Sequence, residues 1–456
     1  MKTKQLQHLF LRAGFGITPQ LVNDLSKKNK KKVVDFLFST TTFQPLEIDL
    51  SELSIYTQEY QKNKTFSMEF QRKSNEKIRE YNKIWIERLA NSDTLLREKM
   101  TLFWANHFVC KNQNIYFVQQ YNNTLRKNAL GNFGDFVKEI SKEPAMLNYL
   151  NSRQNRKKQP NENFARELME LFTLGVGNYS ENDVKESARA FTGYSYNFDG
   201  AFTIAKYHHD DDLKTFFDET GNFSGDDIIN IILKQEQCAR FICEKIYGFF
   251  VNDQVNEKHV DELTAVFYED YNIEKLMKFL FLKDWFYDAE NIGTKIKSPI
   301  ELLVGMQKMV PFSFQNTKDV QKIQRLLGQV LLDPPNVAGW KGGRNWIDSN
   351  TIILRLKLPS ILLSNAEISI KEKGEFEDSF DKYHASNKNQ KDFAKVTVDW
   401  DFFEDSFKNI SFDQMKSLFL ITAPNEGTET YLDHLSKSSK KEFCIQLMSL
   451  PEYQIC

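Results

Sequence analysis

Apolar residues recur at spacings of three and four along most of this chain, the periodicity of helices that bury one face. The pattern marks a helix over residues 17–39, after the turn Arg12-Ala13-Gly14-Phe15-Gly16, a helical pair over 77–91 and 94–109, and two helices within 120–150 that break near Gly131. Residues 153–159 form a basic loop, and Pro160-Asn161 then start a helix for which Gly175 is the C-terminal cap. Ser180-Glu181-Asn182-Asp183 resembles a capping box that opens a further helix, ending near Phe191. After Thr192-Gly193 the period changes to two, and Asp199-Gly200 separates Tyr194-Ser195-Tyr196-Asn197 from Phe202-Thr203-Ile204-Ala205. That is a hairpin signal, and the only β element the pattern gives. Helices resume over 225–287, 298–309, 317–327 and 349–363, with a loop over 333–346, and return over 412–420 and 428–450. Residues 366–396, rich in Glu, Lys, Ser and Asn, lack periodicity and read as a linker or long surface loop.

The expected architecture is mainly α. A large multi-helix domain spans residues 1–365 with one hairpin insertion near 194–208, and a helical module over 397–456 packs on it. At 456 residues the chain exceeds what one compact core usually holds.

One helix stands out. In the stretch 161–175, at about 100° per residue, Asn163, Arg166, Glu167 and Glu170 share one sector, with Phe164, Leu168, Leu171 and Phe172 opposite. Such a polar face is an ion-pair strut or one wall of a site.

Composition narrows the function classes. Sixty Lys and Arg against 62 Asp and Glu give a net charge of −2, which removes the simplest argument for a nucleic-acid or anionic-membrane partner. The longest apolar runs, 229–233 and 302–304, are far short of a membrane span, and the polar residues 1–7 leave no room for a cleavable signal, so a cytoplasmic protein without membrane insertion is expected. The five cysteines, Cys110, Cys238, Cys243, Cys444 and Cys456, lack CxxC spacing and read as reduced structural thiols. The chain has no GxSxG, no SxxK, no GxGxxG and no HExxH, which disfavours serine hydrolases and nicotinamide-dependent enzymes and leaves any metal site without a diagnostic spacing. The many Phe and Tyr, 38 and 17, point to a core of aromatic packing.

Several segments together resemble a large bacterial family catalogued as domain of unknown function number 1800. They are His8-Leu9-Phe10-Leu11-Arg12-Ala13-Gly14-Phe15-Gly16, Phe103-Trp104-Ala105-Asn106-His107-Phe108, the 161–175 helix, Ala188-Arg189-Ala190-Phe191-Thr192-Gly193 and His209-Asp210 with Lys214. Lys297-Ser298-Pro299-Ile300-Glu301, Pro334-Pro335-Asn336-Val337-Ala338-Gly339-Trp340 and Pro451-Glu452-Tyr453-Gln454 follow in order. The resemblance implies a helical fold of unassigned reaction. It also implies a protein partner or shared pathway with a sulfatase-like family, number 1501, often encoded nearby. Phe172 stands where the family often has His, and Asp212 where Gly is usual.

The candidate chemistry follows from these segments. The favoured expectation is a metal-assisted enzyme, a hydrolase with a divalent metal, in which the hairpin folds His209 back over a polar cleft. His107, Glu167 and His209 are the expected metal ligands, and His107, Arg166, Glu167, Glu170, His209 and Asp210 the expected catalytic set. In the loop, Trp340, Arg344 and Trp346 are expected to bind substrate by stacking or anion clamping. The rival expectation is a non-catalytic helical partner or scaffold for a sulfatase-like protein. In that case Arg166, by its i, i+4 pairing with Glu170, or Arg189 neutralises the carboxylates in a buried network.

Overall fold

A computed structural model describes residues 1–39, 42–53, 64–197, 199–364, 394–435 and 439–456. The fold is mainly α with small antiparallel strand pairs. The pattern places Leu95–His107, Glu181–Ala190, Pro299–Met309, Thr317–Leu327 and Ser349–Leu363 well, and side-chain caps open all of these but the first; the helix expected over 77–91 begins earlier, at Lys64. Ser180 and Ser298 each close a capping box, with Asp183 and Glu301 as the returning acids.

Four expectations need correction. Residues 17–39 hold two helices, Pro19–Leu25 and Lys30–Ser39, because the polar run 26–29 offers no apolar face and Asn29 Oδ1 accepts from the Lys32 amide to start the second. Residues 120–150 hold a third helix as well. Ile115–Asn128 and Phe133–Lys142 flank the predicted break, and Pro144 then forces Glu143 into an extended conformation and opens Pro144–Tyr149. The hairpin Tyr194–Tyr196 with Phe202–Ile204 is present, but two further pairs join it: Lys214–Phe216 with Glu219–Gly221, and Phe312–Phe314 with Val396–Val398. The second pair turns through Phe217 and Asp218, both with positive φ, so it carries no glycine signal; Asp183 Oδ1 accepts from the Phe217 amide and holds the strained turn. Finally, of the expected 366–396 linker, residues 366–393 lie outside the described residues, whereas Ala394 is buried and Val396 begins a strand.

Buried side chains form two clusters. The first is aromatic, with Trp104, Phe108, Phe133, Phe136 and Phe172 in edge and stacked contacts. The second joins Trp85, Leu302, Leu303 and Leu358 to Phe403, Met415 and Leu447, so the C-terminal helices complete a core begun by helices far earlier in the chain. The Leu95–His107 helix serves both, burying Phe103 in one and Leu102 in the other. No described helix is long and apolar enough to cross a membrane.

Candidate functional site

The distinctive 161–175 stretch is α-helical only over Asn163–Glu167; over Leu168–Thr173 it is a π-helix. The Leu174 and Gly175 amides both donate to the Met169 carbonyl, at 2.8 and 3.0 Å, and the Thr173 hydroxyl donates to the Leu168 carbonyl. Gly175, with φ of +83°, ends the segment as predicted. π-Turns are rare and cluster at functional sites. Here the wider turn shifts Glu170 out of its i, i+4 register with Arg166.

Arg166 therefore does not pair with Glu170. Its guanidinium donates to Glu162 at 3.0 Å and to Glu181 at 2.8 and 2.9 Å. Arg189 likewise is engaged elsewhere, by Asp210 and Glu186 at 2.9 Å each. Glu167 and Glu170, which that network was expected to neutralise, have no ion pair among the described residues. Burial first, and the adjacent Glu170 carboxylate second, hold Glu167 above the usual carboxylate range, with Arg166 opposing. Glu170 accepts a hydrogen bond of 3.0 Å from the Tyr179 hydroxyl, and burial together with that contact pushes Tyr179 up to about 12.

The histidines do not converge on this face. His107 is buried among Phe103, Trp104, Phe108, Phe172 and Phe241, and its Nε2 lies 3.0 Å from the Phe172 carbonyl oxygen. Burial drives its pKa down to about 3, against that hydrogen bond, so the ring is neutral and structural. The contact does confirm that the Leu95–His107 helix packs on the 161–175 segment. His209 Nδ1 lies 2.7 Å from the Thr192 carbonyl oxygen, at the end of the Glu181–Ala190 helix. Asp210 beside it accepts from Arg189 and from the Asp212 amide, and its backbone carbonyl accepts from Lys214. Burial works against ionisation of Asp210, but those hydrogen bonds outweigh it and keep the carboxyl below its usual range. Among the described residues no three His, Cys, Asp or Glu gather to hold a metal ion, so His107, Glu167 and His209 do not make a metal centre.

A different set of groups does meet Glu167. Tyr149, at the end of the Pro144–Tyr149 helix, is raised by burial first, and by its proximity to Cys110 and Glu167 after that. Tyr121 is raised by burial and by Cys110, Glu143 and Tyr149, and its hydroxyl donates to the Phe108 carbonyl at 2.6 Å. Burial pushes the Cys110 thiol well up, so it is no nucleophile, as its apolar surroundings predict. Glu143, which sequence reasoning missed, is the most perturbed acid of the set. Burial pushes it up to about 7, against the Thr124 hydroxyl that donates to Oε1, while Oε2 is buried without a partner. Nothing in the sequence marks it beyond a glutamate preceding a proline at a helix junction.

Of these groups Cys110 and Tyr121 line a cavity of about 30 Å³, with Trp85, Asn122, Ala145 and Trp340 among its other walls. That is room for a few water-sized groups. Two of its lining donors, Trp85 Nε1 and Asn122 Nδ2, have no hydrogen-bond partner, so a bound acceptor would satisfy them. Of the three loop residues expected to bind substrate, Trp340 lines this cavity, Trp346 is buried elsewhere and Arg344 is exposed.

The loop is held by Asn106, whose Oδ1 accepts from the Trp340 amide at 2.8 Å and whose Nδ2 donates to the Trp340 carbonyl at 3.2 Å. Gly339 makes this approach possible: its φ is +75°, and a Cβ there would lie 2.3 Å from Asn106 Oδ1 and 3.0 Å from the Asn106 carbonyl oxygen. Gly339→Ala is therefore expected to lower stability by about 2–4 kcal/mol through strain and overpacking together. Urea unfolding measures it, and an unchanged midpoint would show that the loop does not depend on this contact.

No curated protein and no solved structure matches the chain. A family profile does, over residues 8–455, which includes every segment used above. The chain is thus a member of the family described as "Protein of unknown function (DUF1800)".

Proposed function

We propose that the chain is an enzyme that uses carboxyl groups as general acid and base, with Glu143, Glu167 and Glu170 as those groups and the Trp340-lined cavity as the place its substrate enters. The observation that carries this reading is that Glu143, Glu167 and Glu170 have no lysine or arginine paired to them among the described residues, while burial holds Glu143 and Glu167 above the ordinary carboxylate range. A structural network would have bound them to cations. Carboxyl groups whose environments push their proton affinities apart are a recurrent acid–base arrangement. Glu143, raised to about 7, is suited to give or take a proton near neutrality. Glu167 with Glu170 supplies negative charge that favours a neutral or cationic substrate over an anionic one. The orphan donors of Trp85 and Asn122 suit a carbonyl or ether oxygen.

A metal is not needed for this chemistry. The rival role, a helical partner for a sulfatase-like protein, makes no use of ionisable groups in this cavity. A turnover screen with neutral and cationic chromogenic glycosides, esters and amides separates the two. Hydrolysis that falls at least about 100-fold in Glu167→Gln, at an unchanged melting temperature, supports the enzyme. Hydrolysis that survives the substitution intact sinks this assignment of the site.

A further inference from the structure

Three motif segments that the proposed site leaves unused, Arg12-Ala13-Gly14, Lys297-Ser298-Pro299-Ile300-Glu301 and Tyr453-Gln454, meet in one buried cluster with Arg355. Arg12, Lys99, Lys297 and Arg355 are each at most 3% exposed. Against these four cations, Glu301 acts on both Lys297 and Arg355 but already receives Lys99 and the Ser298 amide, and Cys456 acts on both as well. The remaining acceptors are neutral. Arg12 donates to the Asn291 carbonyl and the Cys456 sulfur, and Arg355 to Gln454 Oε1 and the Lys297 carbonyl.

Several donors are left over. Arg12 Nε, Arg355 Nη1 and Gln454 Nε2 are buried without a hydrogen-bond partner. The Lys297 ammonium has as its contact the face of Tyr453, 3.6 Å from the ring centroid. An uncompensated buried cation is costly, and each orphan buried donor adds to that cost. Burial accordingly pulls Lys297 down to about 8 and Arg355 to about 10. Burial is the largest cause of both shifts, with Glu301 and Cys456 opposing it, so the unmet need of the cluster lies in its orphan donors.

We propose that this cluster is the binding site of a small inorganic oxyanion, phosphate or sulfate, which takes the free donors of Arg12, Lys297, Arg355 and Gln454 and joins the N-terminal, middle and C-terminal motif segments. An oxyanion presents several acceptor oxygens to a planar guanidinium and a point-charge ammonium, the pairing these two side chains favour. The cluster's depth restricts the ligand to one acquired as the chain folds.

The experiment is thermal unfolding of the full chain, freed of phosphate and sulfate, with each anion or chloride added at equal ionic strength. Phosphate or sulfate should raise the wild-type midpoint by about 3–5 °C at roughly 100 times its Kd, and chloride should not. Whichever of the two acts identifies the source. Lys297→Met should lose that response without a lower midpoint in anion-free buffer, because it removes a costly buried charge. Arg355→Gln serves the same purpose should Lys297→Met not fold, and ion chromatography of denatured wild-type protein reads a retained anion directly. A midpoint that follows ionic strength alone, with no anion released on denaturation, would overturn the proposal; so would a full response in the variants.

Discussion

Arg126→Met should cost about 3–5 kcal/mol of stability, the largest loss expected from any single charge removal described here. Arg126 and Glu98 are both fully buried, and they meet through two hydrogen bonds: Nε to Oε1 at 2.7 Å and Nη2 to Oε2 at 3.3 Å. The third nitrogen, Nη1, donates to Asn123 Oδ1 at 2.8 Å. Truncating the guanidinium leaves the Glu98 carboxylate in the core without its hydrogen-bonded partner, Arg88 Nε lying 3.4 Å away and not hydrogen-bonded to it. The penalty is that of a stranded charge, not the worth of the pair itself. Glu98→Leu combined with Arg126→Met should therefore recover most of the loss, since a buried pair exchanged for apolar groups is often close to neutral. Denaturant unfolding of the single and double variants checks both halves. A loss below about 1 kcal/mol for Arg126→Met would mean that water reaches Glu98. The pair also ties the Leu95–His107 helix to the Ile115–Asn128 helix, and the second of these carries Tyr121 and Asn122 into the candidate site.

The helices were legible because most bury one face and begin at a side-chain cap, as Ser180 and Ser298 show. The hairpin at residues 194–204 was legible through Asp199-Gly200. Its neighbour was not, because the turn at Phe217-Asp218 is imposed by a hydrogen bond from the Glu181–Ala190 helix and not by a local glycine preference. The Phe312–Phe314 strand was invisible for a different reason: its partner, Val396–Val398, lies more than eighty residues away, and three residues are too few to show alternation. In the same way the helical period gave the polar face of the 161–175 stretch but not the π-turn within it. That turn decides which partner Glu170 finds.

The site residues divide along the same line. Sequence singled out Glu167 and Glu170 from the helix sector and Trp340 from loop composition, and of these Trp340 lines the cavity. It could not tell that His107 faces aromatic rings or that His209 rests on a carbonyl, because those facts depend on contacts across sixty-five and seventeen residues. Glu143 carried no pattern at all. Its perturbation arises from burial created by three helices closing around it, a property that no short segment encodes.

Glu143→Gln should make the protein more stable at neutral pH while impairing the proposed chemistry. The carboxyl is raised from its ordinary 4.5 to about 7 in the folded chain. Between those values the unfolded chain has released this proton and the folded chain still holds it. The folded state then binds more protons, so stability falls as pH rises through that window, and the loss is complete above about pH 7. A shift of that size corresponds to about 3 kcal/mol. Glutamine keeps the shape and the neutral hydrogen-bonding character without that cost, so the variant should gain up to this amount above pH 7 and nothing below pH 4.5. Urea unfolding across this range, in parallel for both proteins, reads the divergence. Infrared spectra near neutrality supply the second reading, a protonated carboxyl band present in the wild type and absent from the variant. Curves that run parallel at every pH would show that the Glu143 carboxyl titrates in the folded protein as it does in the unfolded chain, and would remove the proposed acid. Curves that diverge, with turnover lost, would show a residue kept at a cost to stability because it handles a proton, a trade commonly made at functional sites.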